Sequence, residues 1–207
     1  MAGMASLLTE APWMVDAGDL DRLRAVGLGD ASIVQVVTIA AMFNHLVRAA
    51  DGTGIELDFV SPLPKLAVDR DRAPVPRPAP AEWPRPEPRL ARSLRPATMA
   101  AFEAWRAYLF DESDVLPRRE RAVIARTAAF HLCDAAGVEA WAGASAESAR
   151  ERALGAFAEK LTVTPWRMSV QDLEPLRAEG LDDLQILHAI AGVGLQNVLS
   201  RVHLALG

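Results

Sequence analysis

Cys133 is the only thiol in the chain, and it stands two residues after His131 and thirteen after Glu120. A thiolate attacks peroxides, and a histidine or carboxylate can take the thiol proton, so Cys133, His131 and Glu120 form the first candidate catalytic set. A one-cysteine peroxidase of this kind needs an external thiol to reduce its sulfenic acid. The same cysteine in an apolar helix can equally be an inert core residue, because burial raises the thiol pKa and keeps the thiolate scarce. Residues two apart on a helix point to different sides, so direct pairing of His131 with Cys133 requires a break between them.

Two polar pairs form the second candidate set. Asn44 precedes Arg48 by four residues, and Asn197 precedes Arg201 by four, so each pair projects from one helical face. A buried arginine needs a carboxylate or carbonyl oxygens to offset its lost hydration. The structural expectation pairs Arg48 and Arg201 with neighbouring helices, Asp19 and Asp172 being the nearest candidates; the functional one is a site for an anionic ligand. With His131 and His188 such groups would suit acid/base chemistry on a small carboxylate. His45 and His188 lie on apolar helices out of register with each other, which fits satisfied core histidines.

The rest of the composition narrows the field. One cysteine permits no intrachain disulfide and no cysteine-rich metal site, and no metal site is expected. There is no glycine-rich phosphate loop and no Ser-His-Asp arrangement, so no cofactor is expected. A net charge of -5 and the absence of a clustered basic face argue against nucleic acid, leaving Arg118, Arg119, Arg121 and Arg126 as a solvated helix face. The apolar run from Ile33 to Ala50 is interrupted by Gln35, Asn44, His45 and Arg48, which reads as a buried helix rather than a membrane span. With no secretory pattern at residues 1–14, a cytoplasmic location is expected.

The elements that position these residues occur twice. Shifting the sequence by 153 positions lays Leu8–Arg48 on Leu161–Arg201 without a gap, with 16 of 41 positions identical. Among the identities are Thr9 with Thr162, Trp13 with Trp166, Asp19 with Asp172, Gly27 with Gly180, and both Asn/Arg pairs. The front copy predicts a short helix over Val15–Val26 ending at Gly27, then a helix capped by Asp30 running to about Ala50 and enclosed by others. In the rear copy Ser169 with Asp172 and Asp182 with Gln185 read as caps, and Pro175 forces a kink or a very short turn.

Between the copies, Ser61–Pro96 holds ten of the fourteen prolines and is expected to be extended. Leu63, Leu66, Val68, Val75 and Trp83 give it enough apolar surface to strap across other helices or a neighbouring subunit. Further helices are predicted over Thr98–Phe110 with Thr98 as cap, Leu116–Ala136 and Ser145–Leu161. No strand pattern occurs, so the chain is all-α. It divides into a partial repeat (1–60), the strap (61–96) and a fuller repeat (97–207), folding as one unit.

The helix Ala153-Leu-Gly-Ala-Phe-Ala-Glu-Lys-Leu-Thr162, followed by the short helix to Gly180 and the final helix, resembles the alkylhydroperoxidase D-like, or carboxymuconolactone decarboxylase, family. The run Phe43-Asn44-His45-Leu46-Val47-Arg48-Ala49-Ala50-Asp51, with Gly54-Ile55-Glu56-Leu57-Asp58 after it, is similar to the peroxidase-related branch. The resemblance implies an internally duplicated helical bundle that assembles as a homo-oligomer or with a related subunit. It also implies a thiol peroxidase site built from Cys-x-x-Cys, an upstream glutamate and a downstream histidine. Here Leu116–Ala128 matches the entry to that helix and Cys133 the first cysteine. Ala136 stands at the second cysteine, Ala122 at the glutamate and Ala140 at the histidine. The framework is expected with its redox site dismantled, leaving weak or no peroxidase activity.

Overall fold

Two 24-residue helices, α3 (Asp30–Thr53) and α9 (Asp183–Leu206), pack along each other at the centre of the structure. The computed structural model describes residues 2–55, 69–87, 90 and 96–207. The long helices are approached in the same manner. α1 (Ala2–Glu10), a 3₁₀ turn at Pro12–Met14 and α2 (Ala17–Ala25) lead to Gly27 and α3. Of the later elements, α7 (Ala149–Val163), a 3₁₀ turn at Pro165–Arg167 and α8 (Glu174–Ala178) lead to Gly180 and α9. Between these runs lie α4 (Pro96–Ala107), which continues into a π-turn at Tyr108–Glu112, then α5 (Arg118–His131) and α6 (Ala135–Ala140). Among the described residues every regular element is helical.

Local chemistry accounts for the boundaries. Asp16 caps α2 reciprocally with Asp19, each carboxylate accepting from the other's amide at 3.0 Å. Gly27 and Gly180 take φ of 91° and 79°, a left-handed conformation that lets the chain turn into each long helix. Asp182 and Gln185 cap α9, with Gln185 N donating to Asp182 Oδ1 at 2.8 Å. The Asp172 carboxylate accepts from both Ser169 N and Ser169 Oγ. Pro175 divides its helix into a 3₁₀ turn, Val170–Leu173, and the five-residue α8.

Several expectations are corrected. Gly29, not Asp30, occupies the N-cap of α3; Asp30 sits one position inside and pairs with Arg24 at 2.9 Å. Thr98 lies within α4, which begins at Pro96. The predicted helix Leu116–Ala136 is broken, because Cys133 adopts φ 59° and Asp134 then caps α6 by accepting from Gly137 N. The N-terminal helix α1 had no sequence signal of its own beyond the start of the repeat.

α3 is not enclosed either. Ile33, Val34, Val37, Ala41, Asn44 and Arg48 face inward, whereas Ile39, Phe43, Leu46 and Val47 are exposed. By length and composition α3 is the one helix among the described residues that could cross a bilayer; its buried Asn44 and Arg48 and its packing against α9 and α1 place it in the helical core instead.

α3 and α9 cross closely at Gly194, where a Cβ would run into the ring of His45. His45 is clamped on its other side by Trp105, edge to face at 4.8 Å. One apolar core, centred on Leu154, Leu161, Leu176 and Ile190, joins α7, α8 and α9. A second, containing Leu8, Leu20, Ile33 and Leu206, joins α1, α2 and α3 to the end of α9.

The described part of the proline-rich span, residues 69–87, is laid against these helices. Arg167 donates to the carbonyls of Arg70 and Arg72, Arg72 pairs with Glu10 at 2.9 Å, and Trp83 packs edge to face on Phe130. The acidic tail Glu56–Asp58 and Leu63, Leu66 and Val68 lie outside the described residues.

Candidate functional site

Arg48 and Arg201 are 3% and 1% exposed, yet neither meets a carboxylate within salt-bridge distance among the described residues. Their acceptors are neutral. Arg48 donates to Asn44 O, Asn44 Oδ1 and, at the end of α7, Thr162 O, each at 2.9 Å. Arg201 donates to Asn197 O and Oδ1, to Leu8 O at 2.9 Å and to Thr9 O at 3.3 Å. Asn44 in turn donates to Thr9 Oγ1 and Asn197 to Thr162 Oγ1, both at 3.0 Å. Each asparagine thus holds the threonine hydroxyl preceding its own long helix, and each arginine reaches over to the opposite threonine carbonyl.

The expected pairing of these arginines with Asp19 and Asp172 does not occur. Asp19 is taken up by the α2 cap and Arg22, and Asp172 by Ser169 and Lys160. Local partners reach those carboxylates without ordering distant chain.

A cavity of about 650 Å³ opens beside this crossing. Thr9, Trp13, Asn44 and Arg48 line it together with Thr162, Trp166 and Arg201, so seven residues identical between the matching segments converge here. Val36, Ile39, Ala40, Phe43 and Val47 of α3 form an apolar wall, and Arg72, Val75 and Arg77 of the proline-rich span form another side. Two buried nitrogens on lining residues lack a partner among the described residues, Arg48 Nε and Trp166 Nε1, and both are donors. Burial pushes the Arg48 guanidinium down to about 10 and lowers Arg201 well below the usual range, with the positive charge of Arg48 adding to the effect. Asp51, one turn beyond Arg48, is pushed up by burial and held back by Arg48.

No protein-family model matches the chain, and no curated protein matches it.

Of the candidate catalytic set, only His131 reaches the cavity. Arg77 Nη1 lies 2.5 Å from His131 Nδ1, so that nitrogen must be the acceptor and the ring is neutral, with its protonated Nε2 3.6 Å from Glu159 Oε2. Burial lowers the pKa of this histidine. Glu120 is instead bonded to Arg150 at 2.8 Å, tying α5 to α7. Cys133 is wholly enclosed, does not line the cavity, and has its thiol pushed up to about 11 by burial. The helix break that pairing with His131 required is present, but among the described residues no hydrogen bond joins Cys133 to His131 or Glu120. His188 is spent on Leu109 O at 3.1 Å, and His45 sits in the α3/α9 crossing.

The residues that sequence reasoning passed over are Thr9, Thr162, Trp13, Trp166, Arg72 and Arg77. The first four were visible as identities between the repeats. A further polar pair joins buried Asp134 to His203 at 2.8 Å. This hydrogen bond raises His203 above its ordinary value, so its stabilisation is complete below about pH 6.5 and is lost as pH rises through the folded value. His45, His131 and His188, lowered by burial, act oppositely and weaken the fold as pH falls below about 6.5. Replacing His203 by Gln is therefore expected to cost more stability at about pH 5.5 than at about pH 8.5 in urea melts. Equal losses at both values would show that the pair carries no charge.

Proposed function

We propose that this chain is an alkylhydroperoxidase D-like protein of the carboxymuconolactone decarboxylase type, internally duplicated and cytoplasmic. In this reading it has no effective thiol peroxidase activity, and the cavity between its matching segments is the working site. The observation that carries the reading is the enclosure of Cys133, the sole sulfur able to act, with its thiol held near 11. At neutral pH the thiolate is a minute fraction, and no second cysteine is available to resolve a sulfenic acid. Support for the framework comes from the matching element order and the equal lengths of α3 and α9.

Hydroperoxide consumption driven by dithiothreitol tests this directly. The wild-type protein is expected to match Cys133→Ser and the protein-free background. Brisk turnover abolished by Cys133→Ser would overturn the proposal.

A second reading, a cysteine-independent lyase or isomerase acting on a small carboxylate, draws on the presence of Asp51 and neutral His131 beside the two arginines in one cavity. Self-association or pairing with a related subunit also belongs to the proposal, and native mass spectra containing monomer alone would remove self-association.

A further inference from the structure

We infer that the cavity beside the Arg48/Arg201 crossing binds an amphipathic monoanion, a carboxylate carried on an apolar tail. The inference rests on the reading that this cavity, rather than Cys133, is the working site. Three observations converge on it.

The first is charge. Two guanidiniums are buried in one cavity wall with, among the described residues, only amide and carbonyl oxygens as acceptors, and Asp51 is the carboxylate there that reaches Arg48 electrostatically. Burying cations without counter-ions is costly, and an anion entering the cavity would offset that cost for both. Glu10, the other acidic residue on the wall, is already bonded to Arg72, while Arg77 is engaged with His131.

The second is hydrogen bonding. The buried nitrogens on the lining residues that have no partner among the described residues are donors only: Arg48 Nε, on a side chain 3% exposed, and Trp166 Nε1. Buried donors left unmade are expensive, so a complementary ligand supplies acceptors.

The third is the wall. Val36, Ile39, Ala40, Phe43 and Val47 present an apolar face that would be unhelpful to a fully hydrated anion such as phosphate but suits a hydrocarbon tail. The volume falls within the range of sites for drug-sized ligands, larger than acetate would fill.

Isothermal titration of the full chain with octanoate, octanamide, acetate and inorganic phosphate tests the assignment. Octanoate is expected to bind about tenfold or more tightly than each of the other three. In Arg48→Gln the preference for octanoate over octanamide should collapse by about tenfold, with octanamide binding unchanged. Phe43→Glu provides a variant that keeps the fold, since Phe43 is 62% exposed, and it places a carboxylate on the tail wall; it should weaken octanoate by a similar factor. If Arg48→Gln does not fold, Phe43→Glu and the four wild-type titrations decide the matter.

Octanoate binding no tighter than octanamide, or undiminished in the folded variants, would overturn the inference; tighter binding of phosphate would replace the apolar carboxylate with a plain oxyanion. The result is separable from the peroxide assay. Octanoate binding together with Cys133-dependent turnover would reject the proposed function alone. No binding and no turnover would reject the ligand assignment alone.

Discussion

Arg201→Ala is expected to lower the unfolding free energy by about 3–5 kcal/mol, the largest loss for any one side chain near the cavity. The change removes four hydrogen bonds and leaves Leu8 O and Thr9 O without donors in the interior, besides opening a void beneath α1. Arg201→Met fills much of the void and discards an uncompensated charge, so it should lose less than Arg201→Ala while still stranding the two carbonyls. Arg48→Ala should lose less than Arg201→Ala, because Arg48 makes one bond to another helix, α7, and its Nε has no partner among the described residues. Urea melts at neutral pH measure all three, and an Arg201→Ala midpoint equal to wild type would show that the crossing contributes nothing to stability.

Gly194→Val is expected to cost roughly 2–3 kcal/mol, a fall in Tm of about 4–12 °C. The new Cβ would occupy the space of the His45 ring, and that ring cannot simply swing aside because Trp105 holds its other edge. The long helices must therefore separate or His45 must leave. His45→Ala in the same chain removes the obstruction, so the double variant should be markedly more stable than the sum of the single losses predicts. Strict additivity by calorimetry would place the cost elsewhere.

These two sites illustrate what a reader of the sequence could and could not find. The internal match located α3 and α9, the glycine turns before them and the caps at Asp182 and Ser169, because each depends on residues within one turn. It also matched Thr9, Trp13, Asn44 and Arg48 to Thr162, Trp166 and Arg201 among others, all seven lining the cavity, although only the Asn/Arg pairs read as a candidate site. The partners of the arginines stayed hidden for a physical reason. Any residue can offer a backbone carbonyl, so Leu8 O and Thr162 O have no signature in residue type, whereas Asp19 and Asp172 looked suitable and were already claimed by nearer groups. The break at Cys133 was hidden too, since the flanking residues favour helix and only the left-handed backbone at that position ends it. The exposure of α3 escaped notice because uniform apolarity does not tell which faces a neighbour will cover.

The bond from Arg201 to Leu8 spans 193 positions of sequence. During synthesis α1 emerges long before the side chain that satisfies its carbonyls, so its last turn must wait with those oxygens still hydrated. Closure is thereby deferred until α9 has been made, and the hollow beside Arg48 takes its finished shape only once α1 and α9 have met. Chains stalled or truncated before α9 would lack Arg201 and the clasp it closes on α1, however well the earlier helices had formed.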